Sequence, residues 1–280
     1  MSSHTKGKRS VVAALLGNTF VTAIKAIVFF VTGSASMFAE SVHSFADTLN
    51  QSLLLIGLNR SKKPADHLRG YGYGIERFFW SLISACGILF IGSGITIYHS
   101  IDSLMHAGTQ VHSLSGLSIM VLIVAFVIEG FTLWVALKEL RKGGKFSREL
   151  FRDADPVLLS IIYEDSAAVL GVLIALAAQG LTYLTGNIVY DAIGGIIVGL
   201  ILGFLAVLLI IKNHQYLIGK PLRENVSEAI IEMLEADPCI EHVTEFKSVA
   251  VDTGQYRIFA TVEWNGSPLY EEIYEAGDLK

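Results

Sequence analysis

The stretch AIGGIIVGLILGFLAVLLII, residues 192–211, contains no charged side chain and is apolar throughout. A transmembrane helix needs about 20 such residues in a row. Other stretches of similar length and apolar character precede it along the chain. The sequence therefore predicts an α-helical membrane protein with six transmembrane helices, at roughly Val11–Val31, Met37–Leu58, Phe79–His99, Leu114–Leu137, Val157–Gln179 and Ala192–Ile211.

The composition of the whole chain agrees with a location in the lipid bilayer. Of the 280 residues, 52% are hydrophobic and 17% are charged, whereas soluble domains usually carry about 25% charged residues. The formal net charge of −5 offers no general attraction for phosphate. These values argue against a soluble enzyme and against a nucleic-acid-binding protein. Cys86 and Cys239 lie far apart, so they form neither a disulfide framework nor a CxxC motif.

The connections between the predicted helices alternate in charge. Lysine and arginine lie before helix one, between helices two and three, between four and five, and after helix six, whereas the other connections contain neither. Cytoplasmic loops carry the excess of basic residues, so we expect both termini in the cytoplasm. The predicted units are a cytoplasmic segment at 1–10, a transmembrane domain at 11–211 and a cytoplasmic domain at 212–280. No recognisable targeting segment precedes helix one, which favours a bacterial inner membrane, with an organelle membrane as the alternative.

The tail after Pro221 has the pattern of a small α+β module. Apolar residues at helical spacing predict a helix over Glu224–Asp237. Two segments rich in β-branched and aromatic residues, His242–Val251 and Gln255–Trp264, predict strands joined by a hairpin turn. A second helix is expected over 267–275. A domain of about 60 residues is marginally stable alone, so pairing with a second copy of the chain would stabilise it.

Ionisable side chains inside the predicted helices are the most informative residues, because one charged group at the bilayer centre costs about 2.5–3.5 kcal/mol. Helix two contains His43 and Asp47, which are four residues apart and therefore lie about 40° apart on one helical face. An imidazole and a carboxylate one turn apart can bind a single divalent cation. The alternative is a His–Asp hydrogen bond that holds helices together, and the spacing alone does not distinguish the two.

Helix five contains Glu164 and Asp165 near its middle. Neighbouring residues point about 100° apart on a helix, so one carboxylate or both can face the site. Two adjacent carboxylates repel each other, and a bound cation removes that conflict. One histidine nitrogen with up to three carboxylates suits Zn²⁺, with Fe²⁺, Co²⁺, Mn²⁺ and Ni²⁺ as alternatives. The sequence thus predicts a metal site formed by His43, Asp47, Glu164 and Asp165.

The other charged residues in or beside the predicted helices are expected to have separate roles. We expect Lys25 in helix one to pair with Glu129 in helix four. Glu40 lies near the outer end of helix two and is expected to line the exit path of the metal. Asp191 precedes helix six, where a carboxylate stabilises the helix N-terminus.

Several polar residues outside the helices could bind a second metal ion, but an ordinary surface role is the preferred interpretation. They form two pairs, Asp66 with His67 and His242 with Glu245. Histidines at the outer boundary of the membrane are expected to be solvated, namely His99, His106 and His112.

The segment Ala39–Gln51, AESVHSFADTLNQ, resembles the second-helix motif of the cation diffusion facilitators. The segments Pro64–Asp66 and Tyr71–Gly74 look like the loop that follows this helix in the same family. Glu164–Ala168 with Gly171 is similar to the fifth helix of the zinc transporter nine-like branch. The resemblance extends over nearly the whole chain.

This resemblance implies a homodimeric exporter that exchanges a divalent metal, usually Zn²⁺, for protons. It implies six transmembrane helices followed by a cytoplasmic ferredoxin-like domain, here abbreviated because the tail offers no obvious final strand. His43 and Asp47 match the family's ligands in helix two, and Asp165 matches its carboxylate in helix five. Many members have a histidine where Ile161 stands in this chain, so Glu164 is expected to replace it as a ligand.

The resulting functional hypothesis is proton-coupled export by alternating access. Metal would bind the predicted ligands from the cytoplasm, and returning protons would compete for the same atoms. His43 is the expected switch, because histidine is the side chain that titrates nearest physiological pH. The alternatives are an intramembrane metalloenzyme and a membrane metal sensor without transport. Helix two has no HExxH sequence, which counts against the metalloenzyme.

Overall fold

The computed structural model describes residues 3–106, 116–141, 156–252 and 254–266, with side chains except at 3–14, 16–17 and 156–161. These residues form helices for most of their length, and two strands follow near the end. The elements are α1 (Ser3–Thr32), α2 (Ala35–Ser61), α3 (Glu76–Gly87), a π-helical segment (Ile88–Ile95), α4 (Thr96–Met105), α5 (Gly116–Arg141), α6 (Pro156–Thr185), α7 (Val189–Leu217), α8 (Glu224–Glu235), β1 (Ile240–Asp252) and β2 (Gln255–Trp264).

Two short connections between helices depend on glycine. Gly33 follows the end of α1 with a φ of +67°, and Gly186 follows the end of α6 with a φ of +68°. Residues with a side chain rarely adopt this left-handed conformation. The N–H of each glycine donates to the carbonyl four residues earlier, at 2.7 and 2.8 Å, which completes the last helical turn. Each glycine thus ends one helix and allows the next to begin within a few residues.

Among the described residues, four helices are long and apolar enough to cross a membrane. They are Glu76–Met105, which joins α3, the π-helical segment and α4, and Gly116–Arg141, Ile162–Thr185 and Val189–Leu217. Large apolar side chains project outward from these helices, such as Phe90 at 71% exposure and Phe204 at 67%. Exposed apolar surface on this scale requires an apolar environment. The chain is therefore a multi-pass membrane protein, as the sequence predicts.

The first two helices do not belong to that group of four, for two different reasons. The described apolar part of α1 is the shorter helix Asn18–Thr32. α2 is 27 residues long, but polar side chains interrupt its apolar surface, namely Glu40, His43, Asp47, Asn50 and Gln51. The count of six transmembrane helices therefore stays a prediction.

α7 packs closely against the helix formed by α3, the π-helical segment and α4. Its contact face carries Gly195, Gly199 and Gly203, spaced four residues apart. A Cβ added at Gly199 would lie 2.7 Å from Cγ1 of Ile97, and one at Gly203 would lie 2.7 Å from Oγ of Ser93. The Ser93 hydroxyl also donates a 2.8 Å hydrogen bond to the carbonyl of Gly199. Small residues allow this approach between helices in lipid.

The chain divides into two compact units. The first comprises residues 1–56 and 80–211, and the second comprises 57–79 and 212–280. Alanine and leucine side chains form one core cluster of the first unit, including Ala46, Ala85, Leu202 and Ala206. The first unit thus contains the helices that carry the candidate metal ligands.

The second unit contains the predicted α+β module. β1 and β2 pair in antiparallel register from Ile240 opposite Trp264 to Asp252 opposite Gln255, and α8 packs on β1. Gly254 has a φ of +71° in the connection between the strands. One helix and two strands of the tail are therefore confirmed. The second predicted helix at 267–275 lies outside the described residues.

Candidate metal centre

His43 and Asp47 form the first pair of candidate ligands, called here the α2 pair. Nε2 of His43 lies 3.3 Å from Oδ2 of Asp47. The histidine side chain is buried, whereas the aspartate side chain is 30% exposed. The four-residue spacing therefore brings the two groups together as predicted. Their geometry fits both a shared cation and a direct His–Asp interaction.

The two neighbouring carboxylates of α6 turn toward different partners. Oε1 of Glu164 accepts a 3.1 Å hydrogen bond from Nδ2 of Asn50 on α2. Asp165 lies near the Thr132 side chain on α5, whose hydroxyl donates to the carbonyl of Glu129, and it interacts electrostatically with the α2 pair. This divergence follows from the rotation of about 100° between successive residues of a helix.

The described part of the chain holds no group of three or more histidine, cysteine, aspartate or glutamate side chains close enough to share a metal ion. The structure joins the two members of the α2 pair and brings Asp165 within their electrostatic influence. Glu164 faces Asn50, three residues beyond Asp47. The assignment of all four residues as metal ligands therefore stays a prediction.

Lys25, Glu40 and Glu129 form a second ionisable cluster, called here the buried triad. Nζ of Lys25 donates to Oε2 of Glu40 at 3.0 Å and to Oε1 of Glu129 at 2.9 Å. The side chains of Lys25 and Glu40 are fully buried, and that of Glu129 is 17% exposed. The predicted Lys25–Glu129 pair is confirmed. Glu40, expected to line an exit path, is instead the second partner of Lys25.

The spacing of Glu40 in the sequence indicates that its side chain lies inside the helix bundle. Glu40 precedes Asp47 by seven residues, which is close to two helical turns. The two carboxylates therefore lie on nearly the same face of α2. A cation on a neighbouring helix is the partner that a buried carboxylate requires, and Lys25 supplies it.

Asp191 fixes the N-terminal end of α2. It lies in the first turn of α7, as predicted, but its carboxylate accepts hydrogen bonds from the backbone N–H of Ala35 at 2.6 Å and from the hydroxyls of Ser34 and Ser36. Nε2 of Gln179 on α6 donates to the same two hydroxyls. A carboxylate is favourable at a helix N-terminus. This network holds the helix that carries the α2 pair against α6 and α7.

The histidines at the outer boundary have different environments. His99, expected to be solvated, is half-buried and stacks on Phe38 with ring centroids 4.2 Å apart. The stacked aromatic ring shields it from solvent, so that expectation was wrong. His106 is exposed beside Asp102, with Nδ1 3.3 Å from Oδ1. His112 lies outside the described residues.

Asp66 organises the loop between α2 and α3. Its Oδ1 accepts the backbone N–H groups of Leu68 and Arg69, and its Oδ2 accepts the hydroxyl of Tyr73 at 2.6 Å. The Tyr73 hydrogen bond is the main reason that the pKa of Asp66 is lowered, and the same bond raises the pKa of Tyr73. These contacts engage both carboxylate oxygens in shaping the loop, which supports a structural role for Asp66.

Replacing Tyr73 with phenylalanine should raise the pKa of Asp66 toward its usual range. The substitution removes the donor that stabilises the charged carboxylate, so Asp66 should take up its proton at higher pH than in the wild type. Carbon NMR of aspartate-labelled protein, titrated from neutral to acidic pH, measures the change. Tyr71→Phe in the same loop is the control and should leave the titration of Asp66 unchanged. Identical titrations in Tyr73→Phe and wild type would contradict the assignment.

His242 and Glu245 on β1 take separate partners. Nδ1 of His242 lies 2.8 Å from Oε1 of Glu235 on α8. Glu245 pairs with Lys247 on its own strand. These separate ion pairs account for the positions of His242 and Glu245 without a metal ion shared between them.

Comparison with known proteins identifies the family. The profile of the cation efflux transmembrane domain matches residues 11–218. The mitochondrial proton-coupled zinc antiporter SLC30A9 of Mus musculus is 36% identical over 285 residues, covering 100% of this chain and 50% of the relative. The Homo sapiens protein of the same name is 36% identical over 274 residues, covering 96% of this chain and 48% of the relative.

A plant relative gives the same result. Metal tolerance protein C4 of Arabidopsis thaliana is 37% identical over 264 residues, covering 92% of this chain and 57% of the relative. The chain thus spans about half the length of these curated relatives. The resemblance to the zinc transporter nine-like branch of the cation diffusion facilitators is confirmed. With its helical architecture and the family profile over most of its length, this chain belongs to the cation efflux family.

Proposed function

We propose that this chain exports a divalent cation, with zinc as the main substrate, in exchange for protons. The observation that carries the proposal is the α2 pair, a buried imidazole 3.3 Å from a carboxylate inside a helix of the first unit. Because such groups are costly in lipid, their presence inside a membrane helix marks a substrate or ion path. The names of the relatives, a proton-coupled zinc antiporter and a metal tolerance protein, support the same function.

The proposed substrate site consists of His43, Asp47, Asp165 and Glu164. Binding would draw the two α6 carboxylates toward the α2 pair, until their oxygens reach about 2.0–2.2 Å from the metal. Asp165 already interacts electrostatically with the pair, whereas Glu164 would first exchange its Asn50 hydrogen bond for the metal. Nitrogen and oxygen donors suit Zn²⁺, with Mn²⁺, Fe²⁺ and Co²⁺ as alternative substrates.

The proposed mechanism is alternating access with competition between metal and protons. The metal would enter from the cytoplasm and leave on the opposite side. Ligands bind a metal only when deprotonated, so a proton on His43 or on a ligand carboxylate and a bound metal exclude each other. This competition couples the two fluxes in opposite directions.

The proposed architecture has six transmembrane helices in residues 11–211, a cytoplasmic segment at 1–10 and a cytoplasmic ferredoxin-like domain at 212–280. The length of α2 supports a membrane-spanning role, since 27 residues extend about 40 Å at 1.5 Å per residue. The paired strands and α8 of the second unit supply part of a ferredoxin-like arrangement. The alternating basic connections support cytoplasmic termini.

The proposed assembly is a homodimer. The described part of the tail domain has one helix on a two-stranded sheet, and a domain this small gains stability from a second copy. For the membrane, we propose the bacterial inner membrane, with an organelle membrane as the alternative because relatives are named mitochondrial.

Flux measurements in liposomes that contain only this chain test the function. Zinc added outside the liposomes should enter them and drive protons out. Zinc and pH indicators enclosed in the liposomes measure the two movements. Competition with Mn²⁺, Fe²⁺ and Co²⁺ should rank zinc first. Zinc binding without flux would favour the metal sensor, and hydrolysis of a peptide or lipid without flux would favour the metalloenzyme.

A further inference from the structure

The buried triad contains one more negative charge than positive charges. Lys25 is the cation, and Glu40 and Glu129 are both bound to its ammonium group. With all three groups ionised, the cluster carries a net charge of −1 within the helix bundle. An uncompensated buried charge is unfavourable, so one proton on one carboxylate would neutralise the triad.

The two carboxylates of the triad differ in their access to a proton. Glu40 is fully buried, and its Oε1 lies 2.8 Å from where a Cβ on Gly171 would stand. This close packing against α6 leaves little space around Glu40. Each carboxylate has one buried oxygen without a hydrogen-bond partner among the described residues, Oε1 of Glu40 and Oε2 of Glu129, but only the Glu129 side chain is partly exposed, at 17%. The partial exposure makes Glu129 the carboxylate of the triad that is more accessible to a proton.

The charge of Glu129 acts on the candidate metal ligands. It interacts electrostatically with Asp47 on α2 and with Asp165 on α6. Among the described residues, the charged groups around Glu129 are therefore its partner Lys25 from α1, Glu40 and Asp47 from α2, and Asp165 from α6. A dication near Asp47 and Asp165 would repel a proton on Glu129, and linkage makes this effect reciprocal.

We propose that Glu129 is a proton-binding site of the transport cycle, separate from the metal ligands, with Lys25 as its fixed counter-ion. This inference rests on the proposed zinc–proton exchange. When zinc binds, the O–H bond of the Glu129 carboxyl breaks, the proton passes to water, and the carboxylate remains paired with the Lys25 ammonium. After zinc leaves on the other side, a proton from water adds to a carboxylate oxygen of Glu129.

The number of protons released per bound zinc tests the proposal. Calorimetric titration of zinc into the full chain in detergent, repeated in buffers of different ionisation enthalpy, measures this number across pH. Glu129→Gln cannot titrate and should release about one proton fewer per zinc than the wild type, while still binding zinc. Glu139→Gln, an exposed carboxylate on the same helix, is the matched control and should behave like the wild type.

Glu129→Asp keeps a titratable group at this position, so it tests the inference even if Glu129→Gln does not fold. It moves the carboxyl group away from Lys25 by one methylene, so proton release should persist with a displaced pH profile. Release by Glu129→Gln equal to that of the wild type at every pH, or a Glu129→Asp profile that superimposes on it, would overturn the inference. Loss of zinc binding in a folded Glu129→Gln would make Glu129 a ligand and also overturn it.

Failure of the proposed function would look different. A wild-type chain that binds zinc without releasing protons would refute zinc–proton exchange itself, and the inference with it. A wild-type chain that releases protons, matched by Glu129→Gln, refutes only the role of Glu129.

Discussion

Liposomes that contain Asp47→Ala are expected to show neither zinc uptake nor zinc-driven proton movement above the level of protein-free vesicles. The substitution removes a carboxylate of the proposed site and leaves His43 buried without its partner 3.3 Å away. Mutating even the groups that support a metal ligand typically lowers metal affinity about 10–100-fold. Removal of a ligand itself should therefore lower zinc affinity by at least about 100-fold. Flux with internal zinc and pH indicators, together with zinc titration of the purified chain, measures both effects.

Asp102→Ala is the matched control for this experiment. Asp102 is also an aspartate four residues from a histidine on a helix, but its side chain is 52% exposed at the end of α4. Its removal tests whether loss of any His–Asp pair impairs the protein. Wild-type flux in Asp47→Ala would refute the site assignment, and equal losses in the two variants would point to a general structural effect.

Lys25→Met is expected to lower the free energy of unfolding by about 3–5 kcal/mol, the range for removing one partner of a buried ion pair. The ammonium group is fully buried and is the common partner of Glu40 and Glu129. Without it, Glu40 remains buried without a cation, and Glu129 loses its counter-ion as well. Circular dichroism of the detergent-solubilised chain, followed during chemical denaturation, measures the change.

A triple variant separates lost charge balance from lost packing. Lys25→Met combined with Glu40→Gln and Glu129→Gln leaves no uncompensated charge, so much of the lost stability should return. A single Lys25→Met variant as stable as the wild type would show that the triad is not a tight ion cluster. A triple variant no more stable than the single variant would assign the loss to packing of the lysine stem.

Local patterns predicted the elements whose partners lie nearby in sequence. The two tail strands lie within one residue or two of their expected bounds, at Ile240–Asp252 and Gln255–Trp264. Alternation and turn chemistry are local properties, and a hairpin pairs segments that are adjacent in the chain. The His43–Asp47 contact also follows from spacing within one helix.

Partners contributed by distant segments were harder to predict. Asp191 was expected to serve its own helix, yet it holds the N-terminus of α2, more than 150 residues earlier. The sequence left open whether one or both α6 carboxylates face the metal site, and in the structure Glu164 bonds to Asn50 while Asp165 lies near Thr132. The rotation of a helix about its axis determines which neighbouring helix each side chain contacts, and packing against those neighbours sets the rotation.

By itself, the sequence determined that this chain lies in a membrane and that one polar helix carries an imidazole and a carboxylate one turn apart. Hydropathy and helical periodicity are properties of a single segment, so they need no knowledge of the neighbours. Only the tertiary structure decided that Lys25 pairs with two carboxylates and that Glu164 and Asp165 face different helices. These outcomes depend on which helix faces meet, and close packing fixes those faces only when all the helices assemble.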